Sequence, residues 1–398
     1  MTRTLDNHRL GTDTAVSVVL FLCLFAGQAG LIAISPLLSD VARDLDVSTA
    51  AAGQLRTIGG IGAAVTALLL GRVGRRFGLR TQLLAGSGFV ALASVASAAA
   101  PTFAVLAVAQ LPLGIGIATL TTAGTVAAAA WVPVERRRRV LSWALVGNPA
   151  AWIVGMPLIG LVGEQSWRLA WLALPLAAAV VAGAVLLLRE ADPPARTAPA
   201  SVLDAVADPC LKRWLAAETL ANAAWAGTLV YSGALFVESY GASARLTGTL
   251  LAIAAAAYVA GNLSFRRLEH VEPTRLLPPL LLALATTTAL FGALRPSVFT
   301  STVVFSAAAF AAGGRTLLSS ALGLAAAPEL RPAAMGARSA SGQFGYFAGS
   351  LAGGAALAAG GYPAFGLVVG LAFVAAAAAL APLPRAPRCR SLAAESAL

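Results

Sequence analysis

Lysine is almost missing from this 398-residue chain: Lys212 stands alone beside 27 arginines. There are only two histidines and three cysteines, and charged residues of both signs make up 11% of the sequence. Each scarcity excludes something. His8 and His270 lie in loops far apart in sequence, and no Cys/His spacing suits a metal, so no metal and no cofactor is expected. Cys23 lies in an apolar run while Cys210 and Cys389 lie in polar segments, so an odd set of free thiols replaces a disulfide framework. No nucleophile–base pair and no phosphate-binding glycine loop can be found. The polar segments are too short to hold a catalytic domain, so the chain is not expected to be an enzyme. The shortage of lysine and the abundance of alanine look like GC-rich codon usage and carry no function.

What the chain has is apolar length. Twelve stretches, each about long enough to cross a bilayer, lie near 15–37, 50–71, 81–100, 103–131, 140–162, 169–188, 214–237, 246–265, 276–293, 298–325, 339–358 and 362–383. A hydrocarbon core about 30 Å thick takes roughly 20 helical residues to cross. Backbone exposed to lipid must satisfy its own hydrogen bonds, so these runs are expected to be helices. The first is too long, and too poor in small residues just after it, for a cleaved signal peptide.

The net charge of +11 would suit nucleic acid, but the cations sit in short loops between apolar runs, so no nucleic-acid partner is expected. If the N-terminus is cytoplasmic, 22 of the 28 cationic residues face the cytoplasm, and only Arg43, Arg168, Arg245 and Arg295 face outward. That asymmetry predicts a plasma (inner) membrane protein with both termini cytoplasmic and an even number of crossings. Arg136 to Arg139 can contact anionic membrane lipid, although a topology-setting loop is the favoured reading.

A polar segment around 189–213, with Asp192-Pro193-Pro194 and Pro199, splits the spans six and six. It reads as a flexible cytoplasmic linker, with a short surface helix at Val202 to Ala207. The domain organisation expected is therefore an N-terminal six-helix bundle over 1–188, the linker, and a C-terminal six-helix bundle over 214–398. Gly155, Pro157 and Gly160 in the fifth span are echoed by Gly345, Gly349 and Gly353 in the eleventh. Small residues at such spacing let helices approach closely in lipid, as static packing or as a hinge. Repeated halves of this kind occur in transporters that rock about a central site.

The run Gly71-Arg72-Val73-Gly74-Arg75-Arg76-Phe77-Gly78-Leu79-Arg80 resembles motif A of the major facilitator superfamily, matching at Gly71, Arg76, Gly78 and Arg80. Arg75 stands where the family has an Asp. Further resemblance, to the twelve-span drug and sugar efflux branch, lies in Asp40-Val41-Ala42-Arg43-Asp44-Leu45, in Ala52-Gly53-Gln54-Leu55 and in Gly155-Met156-Pro157-Leu158-Ile159-Gly160. The resemblance implies an all-α membrane protein of twelve transmembrane helices in two pseudo-symmetric bundles. It also implies a cytoplasmic gating motif at Gly71, Arg75, Arg76, Gly78 and Arg80. The acid of that motif is a latch on the cytoplasmic side, and Arg75 cannot replace it. Two other positions depart from the pattern: Gln110 stands for the family's fourth-span Arg, and Gln28 for the acid of proton-coupled exporters. A Gln carries no titrating proton.

Charges within spans are costly and usually functional. Arg315, roughly three turns into the tenth span, is either a substrate anchor facing the cavity or a side chain snorkelling to the interface. Glu218 forms one helix face with Asn222 and Trp225. It is the candidate proton-coupling residue, or an interfacial Glu paired with Lys212 or Arg213; its closeness to the boundary favours the second. Arg56 is expected to pair with Asp40 or Asp44. Gln28, Gln110, Asn222 and Trp225 complete the candidate substrate-binding set, each with helix packing as the alternative role.

The sequence thus points to a secondary transporter, expected as a monomer, exporting a small organic molecule or drug by alternating access. With no ATP-binding element, a gradient drives it, and protons are the candidate coupling ion. The alternatives are uptake or exchange of an organic anion, and a non-transporting sensor or scaffold on the same fold.

Overall fold

The computed structural model describes residues 2–73, 76–132, 134–188, 207–268, 270–326 and 330–380. Among these residues every regular element is helical. α1 spans Thr2–Ile32, and a 3₁₀ turn, Ser35–Leu37, leads into α2, Leu38–Asp44. α3 is Thr49–Val73, α4 Leu79–Ala98, α5 Phe103–Ala130 and α6 Val134–Leu145. α7 (Gly147–Ala150) and α8 (Met156–Gly163) flank a π-helical turn at Ala151–Gly155. α9 (Trp167–Trp171) and α10 (Ala177–Leu187) flank another at Leu172–Leu176. α11 is Pro209–Tyr240, α12 Ala244–Phe265, α13 Pro273–Ala293, α14 Val298–Leu324 and α15 Arg331–Leu380.

Local chemistry fixes the helix ends. Asp208 Oδ1 accepts from the Cys210 and Leu211 amides at 2.9 and 2.8 Å, with Pro209 at the first helical position, so α11 starts there. It stops at Gly241, in the left-handed region at φ 64. Ser297 caps α14 by accepting from the Thr300 amide at 3.1 Å. The π turn at Ala151–Gly155 lies just before Pro157, and the turn at Leu172–Leu176 contains Pro175. A proline lacks the N–H of the helical ladder and crowds the carbonyl four residues back, which favours a locally wider turn.

Ten helical stretches among the described residues are long and apolar enough to cross a membrane. The stretch Ala334–Leu380 covers the expected span 339–358 and residues 362–380 of the expected span 362–383, whose last three residues lie outside the described ones. It is broken by non-helical backbone at Gly360 and Gly361, the latter at φ 65. α3 covers the expected second span. The expected helix Val202 to Ala207 and most of the 189–213 segment lie outside the described residues, as does Arg75.

The chain divides into two compact units. The first comprises Met1–Leu37, Ile61–Ala198 and Ala244–Gly248. Within it α1 packs on α5, Gly27 against Leu120 and Gly30 against Leu113. The second comprises Leu38–Gly60, Pro199–Ser243 and Thr249–Leu398. Within it α11 lies along α15, and Gly349 faces the Ala223 carbonyl so closely that no Cβ would fit.

Candidate substrate and coupling site

Three helices of the second unit bring their charges to one place. α11 presents Glu218 and Asn222 a turn apart, and α14 presents Arg315 and Ser319 likewise. Arg315 Nη1 donates to Glu218 Oε2 at 3.1 Å, and Arg315 Nη2 donates to Asn222 Oδ1 at 2.8 Å. The Ser319 hydroxyl donates to the same Glu218 oxygen at 2.6 Å and accepts from Trp214 Nε1 at 2.9 Å. From α15, Arg338 Nε lies 3.0 Å from Glu218 Oε1, a charge contact without a directed hydrogen bond. Arg338 Nη2 donates to the Thr316 carbonyl at 3.2 Å.

Glu218 and Arg315 are each 3% exposed. Arg315 therefore does not snorkel, and Glu218 is not an interfacial partner of Lys212 or Arg213. Helical spacing explains the misreading of Glu218. A residue one turn from the boundary still faces inward when it lies on the same face as Asn222, and the partners come from helices distant in sequence. One carboxylate meets two guanidinium groups, so the cluster carries one positive charge in excess. A buried ion pair seldom stabilises a fold more than apolar packing would, whereas removing one partner costs about 3–5 kcal/mol. Stability alone is thus a poor reason for this cluster, and function a better one.

One turn further along α11, Trp225 stacks on Tyr258 of α12 at 6.4 Å between ring centroids and on Phe305 of α14 at 6.2 Å. These aromatic faces continue the polar cluster along the helix. The Tyr231 hydroxyl donates to the Ser350 carbonyl at 3.0 Å, and Gln54 Nε2 reaches the same carbonyl at 3.2 Å.

Arg56 departs from expectation. Asp40 accepts instead from Arg43 at 3.2 Å. Arg56 is 4% exposed, its Nη2 has no hydrogen-bond partner, and no carboxylate among the described residues pairs with it. Four residues on, Gly60 presses against the backbone of Phe347. That contact turns Arg56 towards α15, not towards the acidic turn at Asp40.

The other candidates lie elsewhere. In the first unit, Gln28 Oε1 accepts from Trp152 Nε1 at 3.0 Å. Gln110 donates to Ser97 Oγ and to the Leu106 carbonyl, both at 3.2 Å. Gly155 meets Leu174 and Ile32 side chains, Pro157 begins α8, and Gly160 packs on the Ala244 backbone. Gly345, Gly349 and Gly353 line the seam of α15 with α11, against Asn222, Ala223 and Tyr231. Of the motif residues, Gly71 ends within α3, Arg76 lies in the turn that follows, and Gly78 precedes α4. The Arg80 guanidinium donates to the Leu186 and Leu187 carbonyls at 2.8 and 3.1 Å, capping the C-terminus of α10.

A family model described as Major Facilitator Superfamily matches residues 20–314. The chain belongs to that superfamily. A chloramphenicol resistance protein of Streptomyces lividans is 28% identical over 262 residues, 62% of this chain and 65% of that protein. The inner membrane transport protein YdhP of Escherichia coli K12 is 30% identical over 158 residues, 39% of this chain and 41% of that one. The matched region thus spans from about two-fifths to just under two-thirds of these relatives' length. A crystal structure of a D-xylose-proton symporter superposes with a TM-score of 0.75 over 95% of this chain and 99% of that one, at 14% identity, a likeness of fold alone. This major facilitator protein is a multi-pass membrane protein whose family and fold are those of membrane transporters.

Sequence reasoning missed Arg338 and Ser319. Arg338 precedes the expected apolar run 339–358 by one residue, yet α15 already holds it. A better signal was the small-residue face of that helix, which continues upstream through Ser341 and Ala337.

Proposed function

We propose that this chain is a secondary transporter that exports a small organic molecule by alternating access. The observation that carries the reading is the buried Glu218–Arg315–Arg338 cluster, in a chain related to a chloramphenicol resistance protein. The proposed arrangement is twelve transmembrane helices in two bundles, 1–188 and 214–398, joined by a cytoplasmic linker, with both termini cytoplasmic in the plasma membrane. Arg315, Asn222 and Trp225 form the substrate side of the site in the second unit. The glycines of α8 and α15 serve the moving contacts.

In this reading Glu218 couples transport to protons. Substrate that draws Arg315 away removes a countercharge from Glu218, and a carboxylate stripped of its countercharge in a dry site takes up a proton. The positive excess of the cluster favours a second reading, in which the substrate is an organic anion and the cycle is exchange.

A pump-deficient host expressing the chain is challenged with chloramphenicol, dyes and sugars. Export predicts raised resistance to at least one compound, and Arg315→Ala should lose it while still reaching the membrane. No shift for any compound, together with no counterflow of those compounds in proteoliposomes, would reject transport of this class. Counterflow that persists without pH dependence would instead select exchange. Orientation is tested separately: an impermeant thiol reagent should label a cysteine introduced at Thr102 from outside and leave one at Val134 unlabelled.

A further inference from the structure

Arg56 is the buried charge for which the transporter reading has no use. Its Nη2 is sealed from solvent without an acceptor. Bringing a guanidinium into the interior without a counterion is among the most expensive arrangements available to a membrane helix. A trapped water answers one N–H but leaves the charge unmatched. Nor do the neighbours on α3 offer a carboxylate. Gln54 is already engaged with Tyr231, Ser350 and Thr57. On α15, Tyr346 lies between Phe347, whose backbone meets Gly60 one turn on from Arg56, and Gly345, which meets Asn222 of α11. Tyr258 is the ring on which Trp225 stacks.

The same unit therefore holds, in one chain of neighbours, an unmatched guanidinium, a tyrosine, and a stack of aromatic rings running from Tyr258 through Trp225 to Phe305. The stack reaches Arg315 through Asn222, one turn away on α11. The planar donor fork of an arginine suits a carboxylate or phenolate, and aromatic faces accept a flat apolar body. A cationic ligand would be opposed by the positive excess at both ends of this run.

We infer that the second unit holds a site for an aromatic monoanion, whose carboxylate or phenolate is anchored by Arg56 and whose ring lies on the Trp225 stack. The inference rests on the transporter reading and narrows it from a small organic molecule to an anionic aromatic one. The carboxylate is assigned to Arg56 because, among the described residues, that guanidinium has no carboxylate partner, whereas the Arg315 cluster already holds Glu218.

The test uses a pair of probes that differ in charge alone, 4-nitrobenzoate and 4-nitrobenzamide, both quenchers of tryptophan fluorescence. Each is titrated into the purified full chain. The wild type should bind the benzoate about tenfold or more tightly than the amide, the difference expected for a hydrogen bond to a charged group. Arg56→Gln should remove the discrimination by weakening the benzoate alone, and Arg56→Lys should keep part of it. Removing an unpaired buried charge relieves desolvation, so Arg56→Gln should fold at least as well as wild type. Equal binding of the two probes, no saturable quenching by 4-nitrobenzoate, or discrimination that survives Arg56→Gln overturns the inference. Benzoate binding without counterflow in proteoliposomes supports the site and removes the transporter reading. Counterflow of neutral drugs with no preference for the benzoate does the reverse.

Discussion

The two compact units solve the problem of polar groups among apolar helices in opposite ways. In the first unit the buried polar side chains among the described residues are uncharged, hydroxyls and amides, although Ser87 Oγ and Asn148 Oδ1 lack a partner. Gln110 sits against Ser97, and Gln28 against Trp152. Its arginines turn to backbone carbonyls at helix ends, as Arg80 does at α10 and Arg168 does at Ala100. In the second unit charges are buried beside the hydroxyls, and the account does not close. One carboxylate serves two guanidiniums, and Arg56 has none among the described residues. Neutral hydrogen bonds between helices are worth roughly 0.6 kcal/mol and hold helices in register at little risk. Charges are retained in such an environment when something must be bound or released. The contrast supports the proposal that recognition belongs to the second unit.

Glu218→Gln should sharpen the contrast most. It leaves the buried Arg315 and the half-buried Arg338 guanidiniums without their shared carboxylate, and a loss of about 3–5 kcal/mol is expected, read as a lower melting temperature in detergent and reduced yield from membranes. Pairing it with Arg315→Gln should recover most of the loss. Equal stability of the single and double variants would mean that the cluster is not an electrostatic unit.

Next comes Arg315→Lys. It keeps the charge but loses the fork that bonds Glu218 and Asn222 together, so transport should fall about tenfold or more while folding is retained. Wild-type transport would move substrate recognition away from this residue.

Packing should matter less. Gly349→Ala forces a methyl against the Ala223 carbonyl and should destabilise by about 1–3 kcal/mol. Gly342→Ala, on the same helix with open space around its Cα, is the control and should be close to neutral. Similar costs for both would show that the seam of α11 and α15 yields readily.

Smallest of all should be Gln110→Ala in the first unit, about 0.6 kcal/mol for a lost interhelical bond, with KM for any transported compound little changed. A large rise in KM would break the comparison and place Gln110 in the binding site.

Helical length and the apolar runs were readable because each crossing segment must satisfy its own backbone, so membrane helices are written locally. Caps such as Asp208-Pro209 and the break at Gly360-Gly361 are likewise carried by residues adjacent in sequence. The polar face of α11 was readable from the spacing of Glu218, Asn222 and Trp225. Its partners were not. Arg315 and Arg338 lie 97 and 120 positions away from Glu218, and the end of an apolar run hid Arg338 in a supposed loop. Arg56 was misplaced for the same reason: nearby acids in the sequence suggested partners that the rotation of α3 denies it.

By itself, then, the sequence determined that this is a chain of membrane-crossing helices with motifs resembling the major facilitator superfamily, because apolar length, turn residues and short loop motifs act over a few residues at a time. Only the tertiary structure decided which charges meet: that Glu218 is shared by two arginines and that Arg56 has no carboxylate partner among the described residues. Ion pairing depends on how each helix is rotated against its neighbours, and packing between distant segments sets that rotation.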